Sequence, residues 1–216
     1  MKIAFRTDAS IQIGSGHVMR CLTLADALRE RGAQCNFICR EHAGNMNDLI
    51  RARGYAVEVL PLNNSNASAH ESPAHEGWLG AEWQDDAEQT RRALADITVD
   101  WLIVDHYALD ICWEHQMRGI CRRLMVIDDL ADRTHDCDLL LDQNYSDNAG
   151  RYGTLVPDST RIRIVPRYAL LQPEYQRSQV ERSEAQAISR VLVFFGGSDP
   201  DDMTRMTLEA HCAPQF

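Results

Sequence analysis

The sequence predicts an α/β protein whose core is a Rossmann-like, doubly wound parallel sheet. Three observations lead to this prediction. Short apolar runs alternate with longer amphipathic stretches, a glycine-containing loop follows the first apolar run, and later apolar runs end in polar clusters. This order of elements is typical of repeated β-α units. We therefore expect one sheet domain over residues 1–172, a linker over 173–189, and the first β-α unit of an incomplete second domain over 190–216.

The first β-α unit has the clearest pattern. Residues 2–5 (KIAF) indicate a buried strand, and a loop with Gly14 and Gly16 follows it. Apolar residues then recur at steps of three and four, as on one face of a helix: Val18, Cys21, Leu22, Ala25 and Leu28. Glycines at such a turn let a ligand approach the backbone, and the free amides of the first helical turn attract an anion. Gly14 and Gly16 are therefore candidate ligand-binding residues.

His17 falls in the first turn of this predicted helix. The positive end of a helix disfavours an imidazolium, so we expect a neutral ring that projects into a crevice and can accept a proton. Arg20, one turn further on, is placed to meet a phosphate, and Asp8 is placed to orient the ring. The alternative is that the two glycines make an ordinary turn and that His17 merely begins a helix. The spacing is not that of a dinucleotide-binding loop, because the third glycine is missing.

Further strands and helices are predicted along the chain. Apolar runs indicate strands at 35–39, 55–60, 101–104, 124–127, 137–141 and 161–166. Helical periodicity indicates helices at 45–53, from Trp83 through Ile97, and at 111–119. The segment 63–77 is too polar to be buried. Its His70 and His75 fit a solvated loop better than a metal site, because no cluster of carboxylates or cysteines accompanies them.

Three successive strands end in polar side chains. The polar ends are Asp105-His106-Tyr107, Asp128-Asp129 and Asp142-Gln143-Asn144-Tyr145. Ligands bind at the carboxyl edge of an open parallel sheet, so Asp105, Tyr107 and Asn144 are candidate binding residues, although a surface turn would also explain the first cluster. Adjacent side chains on an extended chain point to opposite faces, so Asp128 and Asp129 cannot easily share a metal ion. We expect one of them to cap backbone amides and the other to face the crevice, and we predict no metal site.

A second β-α unit is predicted near the end of the chain. Residues 190–195 (RVLVFF) indicate a strand, Gly196, Gly197 and Ser198 a turn, and 201–210 a helix. Amides in this turn suit a diphosphate, although an ordinary β-α turn would show the same pattern. A lone strand and helix cannot form a core. We therefore expect that the chain is truncated or that its last residues come from an altered reading frame.

Composition narrows the class of partner. The formal net charge of −10 and the lack of a basic stripe argue against nucleic acid as the main partner. No apolar stretch approaches the length of a membrane span, and the first residues lack the apolar core of a signal peptide. The seven cysteines include no Cys-x-x-Cys pair, which indicates reduced thiols in a cytoplasmic protein. We predict a small-molecule ligand, no cofactor and no membrane contact, and make no prediction of oligomeric state.

Seven short motifs occur in a characteristic order. They are RTDAS at 6–10, GSGH at 14–17, RCL at 20–22, VDHY at 104–107, IDDL at 127–130, DQN at 142–144 and FGGSD at 195–199. Together they resemble the PseG family, the UDP-2,4-diacetamido-2,4,6-trideoxy-β-L-altropyranose hydrolases. These enzymes act in the biosynthesis of pseudaminic acid, a sugar used in flagellin glycosylation. The resemblance extends from the first residue to about Ala210.

The resemblance implies a fold and an activity. Members of the family are similar to GT-B glycosyltransferases such as MurG, in which two Rossmann-like domains face a cleft and the C-terminal one holds most of the nucleotide. The implied reaction is a metal-independent hydrolysis in which water displaces UDP from the anomeric carbon with inversion. The histidine of the Gly-x-Gly-His loop is the family's proposed general base, and it corresponds to His17.

This sequence departs from the family pattern in one respect, because it lacks nearly all of the second domain. We therefore expect the chain alone to be weakly active or inactive. Two other interpretations remain: a GT-B glycosyltransferase that passes the sugar from UDP to an acceptor, and an inactive fragment that at most binds ligand. A dehydrogenase is poorly supported, because the third glycine and a ribose-binding acid are missing.

Overall fold

The computed structural model describes residues 1–63, 75–148, 150–177, 190–196, 199 and 201–212. Seven strands form one sheet: β1 (Lys2–Thr7), β2 (Gln34–Arg40), β3 (Ala56–Leu60), β4 (Val99–Asp105), β5 (Cys121–Ile127), β6 (Leu139–Asp142) and β7 (Arg161–Ile164). Their order across the sheet is β3-β2-β1-β4-β5-β6-β7, and every pair of neighbours is parallel. The order reverses direction between β1 and β4, as in a doubly wound sheet. The predicted fold class is confirmed.

Among the described residues, five helices lie where the sequence predicted them, with small differences at their ends, and a sixth lies in the segment predicted to be a linker. They are α1 (Gly16–Glu30), α2 (Asn47–Ala52), α3 (Trp83–Ala93), α4 (Ile111–Met117), α5 (Pro173–Arg177) and α6 (Met203–Cys212). Single 3₁₀ turns occur at Glu76–Trp78 and Pro166–Tyr168. Helix α3 ends at Ala93 and does not continue through Ile97, because the backbone N–H of Ile97 closes a tighter turn onto the carbonyl of Leu94 at 3.0 Å. Gly32 adopts a φ of +82° just after α1, which ends the helix as a left-handed residue.

Helices cover both faces of the sheet. On one face, Leu22 of α1 and Ile50 of α2 pack with Phe5 and Phe37, whose rings stack with centroids 4.9 Å apart. On the other face, Ala87 of α3 and Trp113 of α4 pack with strand residues, including Leu102 and Leu124. Burial of each such large side chain contributes roughly 1.5–3 kcal/mol, so the two apolar layers fix the orientation of the strand ends.

Four charged side chains form a fully buried cluster under the carboxyl ends of β1 and β2. Arg6 donates to Asp8 at 2.7 Å and to Asp86 at 2.5 Å, and Arg40 donates to Asp86 at 2.6 Å. Two arginines and two aspartates make the cluster neutral overall, which limits the cost of burying it. Burial raises the pKa of Asp86, but the charges of Arg6 and Arg40 outweigh that effect, so the pKa of this carboxyl lies below its ordinary value.

The strand predicted at 190–195 is wrong. Residues 190–196 form neither strand nor helix, whereas the helix predicted at 201–210 is present as α6. A strand needs a neighbour for its backbone hydrogen bonds, and no strand in the described part of the chain pairs with this segment. Gly197 and Ser198 lie outside the described residues. The division of the chain into domains stays a prediction.

Among the described residues, no helix is both long and apolar enough to cross a membrane. The predicted polar loop is described only in part, and His70 lies outside the described residues. His75 is described, and its ring packs 4.4 Å from that of Trp78 and 5.3 Å from that of Tyr107, measured between centroids. This contact corrects the expectation that His75 is a solvated loop residue.

Candidate active site

The candidate site lies where the strand order reverses. The loop after β1 leads into α1, and the neighbouring strand β4 ends beside it, with Thr7 and Asp105 in register. A crevice at this place is the usual ligand site of doubly wound sheets, because the loops on the two sides diverge from each other. The topology therefore brings His17, from the start of α1, to the end of β4.

His17 and Arg20 share one buried carboxylate. Nδ1 of His17 lies 2.6 Å from Oδ1 of Asp105. Arg20 donates to the same carboxylate through Nε and Nη2, each at 2.6 Å, in a bidentate arrangement. Burial raises the pKa of Asp105, but the nearby His17 and Arg20 more than offset it and hold the pKa of this carboxyl well below its ordinary value. Asp105 is therefore an anion near neutral pH.

The carboxylate determines which ring nitrogen of His17 carries the proton. An ionised aspartate only accepts hydrogen bonds, so Nδ1 must donate to it. Arg20 Nη2 lies farther from Nδ1, at 3.3 Å, and also only donates, so it does not compete for that position. Nε2 then holds a lone pair, and no hydrogen-bond partner for it occurs among the described residues. This arrangement can accept a proton from a water molecule.

His17 is less open than the sequence predicted. The residue is 6% exposed, and its imidazole packs edge to face with the Tyr107 ring, with centroids 4.5 Å apart and planes at 79°. A recess of about 200 Å³ lies beside the start of α1, and its lining includes Gly16, Arg20 and Leu170 but not His17. Only a small part of the imidazole is exposed, and His17 does not line this recess.

Asp129 links the ends of three strands with α1. Its Oδ1 accepts a hydrogen bond from the Tyr107 hydroxyl at 2.5 Å, and its Oδ2 accepts one from the Asn144 amide at 2.9 Å. Arg20 Nη1 lies 3.4 Å from the same Oδ2. Burial and the hydrogen bond to Asp129 raise the pKa of Tyr107 above its ordinary value, so the phenol stays protonated and donates. Tyr107 and Asn144 therefore meet at one carboxylate, and their predicted role in binding stays a prediction.

The two adjacent aspartates divide their roles as expected. Asp128 is buried and accepts hydrogen bonds from the backbone N–H of Ala131 at 3.0 Å and from the hydroxyl of Tyr152 at 2.8 Å. Asp129 faces Tyr107 and Asn144 instead. Among the described residues, no group of three or more His, Cys, Asp and Glu side chains is arranged to hold a metal ion.

The loop before α1 is shaped by its glycines and by Ser10. Gly14 has a φ of +77°, and its backbone N–H donates to the carbonyl of Ser10 at 2.8 Å. The Ser10 hydroxyl accepts from the N–H of Ile13 at 2.9 Å. A Cβ placed on Gly16 would meet no atom within 4 Å, so the space in front of the first helical turn is open. The first main-chain bond of α1 is donated by Met19, at 3.0 Å to Ser15, so the amides before it remain available to an anion.

Two predicted binding residues lie below the site and not in it. Asp8 is fully buried, and its carboxylate accepts from Arg6 and, at 2.6 Å, from the backbone N–H of Arg40. Its second oxygen lies 3.4 Å from His106 Nε2. The expectation that Asp8 orients His17 is wrong, since Asp105 does so. Asp105 is itself fully buried and occupied by protein partners, which leaves it no surface for direct contact with a substrate.

Arg20 also differs from its predicted role. Its guanidinium is committed to Asp105 by two hydrogen bonds, so the structure gives it a carboxylate partner in place of the expected phosphate. Gly196 is exposed and has a φ of +88°, and its predicted contact with a diphosphate stays a prediction. Sequence reasoning missed Trp78, whose ring centroid lies 5.9 Å from that of Tyr107. The only signal for it was an aromatic residue at the end of a polar loop.

Comparisons with known proteins show sequence relatives but no matching family model. The chain is 28% identical over 202 residues to the UDP-2,4-diacetamido-2,4,6-trideoxy-β-L-altropyranose hydrolase of Campylobacter jejuni. This alignment covers 92% of this chain and 61% of that protein. It is 24% identical over 214 residues to an uncharacterized protein of Methanocaldococcus jannaschii, covering 97% of this chain and 39% of that protein. The chain therefore spans less than two thirds of the length of either relative.

Two solved structures align with the backbone of this chain over part of its length. MurG of Acinetobacter baumannii aligns over 74% of this chain and 44% of its own, with a TM-score of 0.47 and 11% identity. LpCGTa in complex with UDP aligns over 59% of this chain and 30% of its own, with a TM-score of 0.39 and 16% identity.

Proposed function

We propose that this chain is the base-bearing part of a UDP-sugar hydrolase of the GT-B type. The similarity to the Campylobacter hydrolase supports this proposal, as does the position of an Asp-His pair at the reversal point of the sheet. The proposed substrate is a UDP-2,4-diacetamido-2,4,6-trideoxyhexose, and the proposed pathway is pseudaminic acid biosynthesis in the cytoplasm. No metal or cofactor takes part in the proposed reaction.

In the proposed reaction His17 acts as general base. Nε2 takes a proton from a water molecule while the water oxygen bonds to the anomeric carbon. The bond from that carbon to the diphosphate oxygen breaks, and the electron pair leaves with UDP, so the configuration inverts. Asp105 keeps the proton on Nδ1 and stabilises the imidazolium that forms. A positioned base typically contributes ~10²–10⁴-fold to the rate.

The remaining predicted residues have binding roles in this proposal. Gly14 and Gly16 allow the substrate to approach the backbone, and the free amides at the start of α1 offer hydrogen bonds to negatively charged oxygens. Tyr107 and Asn144 line the part of the site that would contact the sugar of the substrate. Gly196, Gly197 and Ser198 hold the diphosphate as the first turn of a nucleotide-binding domain. Residues 1–172 form the catalytic-base domain in this scheme, and 173–189 connect it to the second domain.

The observation that carries the proposal is the 2.6 Å contact between His17 Nδ1 and Asp105, which leaves Nε2 as the proton acceptor. The test is a coupled assay for UDP release from this UDP-sugar without an acceptor. It compares the chain with a version that has a complete second domain, and each with His17→Ala and His17→Asn. His115→Asn is the matched control, because that histidine is largely exposed and pairs with Asp136 at 3.5 Å, away from the site.

Each outcome of the assay has a distinct meaning. Release of UDP and free sugar in equal amounts supports the hydrolase, provided that the His17 variants lose this release. Calorimetry must also show that these variants still bind the ligand. UDP release that needs an added acceptor assigns the protein to the glycosyltransferases. Binding without release, even with a complete second domain, contradicts the enzymatic proposal. We expect the chain alone to be weakly active or inactive.

A further inference from the structure

Asp129 is a second carboxylate, besides Asp105, that is bonded to residues in contact with His17. It is largely buried, and its two oxygens accept from Tyr107 and Asn144 and face Arg20. These partners come from the ends of β4 and β6 and from α1. None of the three contacts reaches His17 directly. Asp129 therefore acts on the imidazole only through a neighbour.

A single hydrogen bond does not fix the plane of an imidazole. The bond from Nδ1 to Asp105 restrains rotation of the ring about the Cβ–Cγ bond, but a hydrogen bond tolerates a range of angles, so the ring can still tilt. The Tyr107 ring supplies the second restraint, since the two rings pack edge to face, with planes at 79° and centroids 4.5 Å apart. Edge-to-face contacts of this kind favour one relative orientation of two rings. The direction of the Nε2 lone pair thus depends on where Tyr107 is held.

Tyr107 is itself held by its hydroxyl. The ring packs against His75 at 5.3 Å and Trp78 at 5.9 Å between centroids, and the Arg133 guanidinium lies 5.8 Å from its centroid, but none of these contacts is a hydrogen bond. The hydroxyl bond to Asp129 fixes the far end of the side chain. We propose that Asp129 is a positioning residue that aims the His17 imidazole by anchoring Tyr107. Its catalytic consequence rests on the function proposed above, whereas its effect on the ring does not.

The test measures the His17 ring directly in the chain, labelled with ¹⁵N-histidine. The eight histidines are separated by comparison with His17→Ala, which removes one set of ring signals. The Nδ1–H signal of His17 is followed in Asp129→Ala, Asp129→Asn and Tyr107→Phe. Asp48→Asn is the matched control, because Asp48 is exposed and pairs with Arg51, at 2.9 Å, on the exposed side of α2.

We expect Asp129→Ala and Tyr107→Phe to speed hydrogen exchange at His17 Nδ1 about tenfold, because the ring samples more orientations. The control should leave exchange unchanged. Asp129→Asn keeps an oxygen acceptor for the tyrosine hydroxyl and should restore most of the protection. Where turnover is measurable, kcat should fall ~10–100-fold in the first two variants, because a misaimed base slows the chemical step.

Several results would overturn the inference. Unchanged exchange in Asp129→Ala shows that the carboxylate does not position the ring. A change in Asp129→Ala that Tyr107→Phe does not reproduce shows that Asp129 acts through Arg20. If Asp129→Ala does not fold, the exchange rate in Tyr107→Phe tests the inference instead, since this variant removes one oxygen atom and keeps the ring. Loss of ring order in these variants, together with no UDP release even from a version that has a complete second domain, would sustain this inference while the proposed function fails.

Discussion

His17 and Asp105 are 88 residues apart in the chain, and Nδ1 of one lies 2.6 Å from Oδ1 of the other. The contact joins the first turn of α1 to the last residue of β4, which are adjacent because β1 and β4 are neighbours in the sheet. Arg20 holds the same carboxylate from the next turn of the helix, so Asp105 cannot rotate to a different acceptor direction. The tautomer of His17 is therefore set by the fold.

The first prediction concerns this tautomer. In the Asp105→Asn variant an amide nitrogen can donate to Nδ1, which moves the ring proton to Nε2 and removes the proton acceptor from the site. We expect the ¹⁵N chemical shifts of Nδ1 and Nε2 of His17 to be interchanged relative to the parent protein. Any UDP release should fall on the order of 10²–10⁴-fold. Heteronuclear NMR and the coupled assay measure the two effects.

Cys21→Ala provides the control for this prediction, because Sγ of Cys21 lies 3.5 Å from Asp105 and contributes only a weak hydrogen bond. That variant should keep the His17 tautomer. An Asp105→Asn protein that retains the parent ¹⁵N pattern would show that Asp105 does not set the proton position.

The second prediction concerns stability in acid. Asp8, Asp86 and Asp105 are buried, which raises their pKa values, but neighbouring arginines and histidines reverse the effect and lower each pKa below its ordinary value. The unfolded chain then binds more protons than the folded one as the pH falls below the ordinary aspartate pKa of about 3.9. The stabilising contribution of these groups is fully present above that pH and is lost as the pH falls toward their folded pKa values.

Urea unfolding at a series of pH values from neutral to 3 measures this dependence. Each group adds up to about 1.4 kcal/mol per pH unit to the slope of the unfolding free energy in that range. Asp105→Asn removes one of the groups, so its free energy of unfolding should fall less steeply with decreasing pH than that of the parent. Equal slopes for the two proteins at acid pH would contradict the pKa shift assigned to Asp105.

The third prediction concerns the buried cluster of Arg6, Arg40, Asp8 and Asp86. Asp86 accepts from Arg6, from Arg40 and, at 2.9 Å, from the indole N–H of Trp113. Asp86→Ala leaves buried positive charge without its partner, so we expect a loss of ~3–5 kcal/mol in the free energy of unfolding. Urea denaturation measures it, with m-values checked for two-state behaviour.

Glu88→Gln is the matched control for that measurement, since it lies on the same helix and forms an exposed ion pair with Arg92 at 2.9 Å. Such pairs contribute about 0.3–0.5 kcal/mol. Similar losses for Asp86→Ala and Glu88→Gln would mean that water enters the cluster and screens it.

The fold was predictable because local patterns repeat along the chain. Alternating strands and helices, with Gly32 after α1 and Gly54 after α2, are encoded within short windows, and right-handed parallel connections allow few arrangements of them. The placement of His17 in the first turn of α1 follows from the same local signals. A sequence also shows that polar residues follow successive strands.

The partners within the site were less predictable, because they depend on long-range pairing. Asp8 is near His17 in sequence, but Arg6 and the N–H of Arg40 occupy its carboxylate. Arg6 lies in a buried strand and is compensated by Asp86, 80 residues away on α3, a pairing that no local pattern reveals. The segment 190–195 has the composition of a strand, but strand formation also requires a partner with free backbone groups.

The last prediction concerns the apolar surface at 190–195. Leu192 is 90% exposed and Phe194 is 73% exposed, with Val191 and Phe195 beside them. A contiguous apolar patch of this kind tends to be covered by another surface, and here the backbone groups of the segment are also unpaired with any described strand. We expect the chain to associate as its concentration rises, measured by light scattering on a sizing column and by sedimentation velocity.

The variant Leu192→Ser/Phe194→Ser should remain monomeric at concentrations where the parent associates, with an unchanged far-UV circular dichroism spectrum. Leu62→Ser is the control, because Leu62 is 44% exposed but lies apart from this segment, after β3. Single exposed apolar residues are common on soluble proteins, so this substitution should not change the association. Association that persists in the double variant would place the contact on another surface. A parent chain that stays monomeric throughout would show that the segment's apolar side chains are covered within the same molecule.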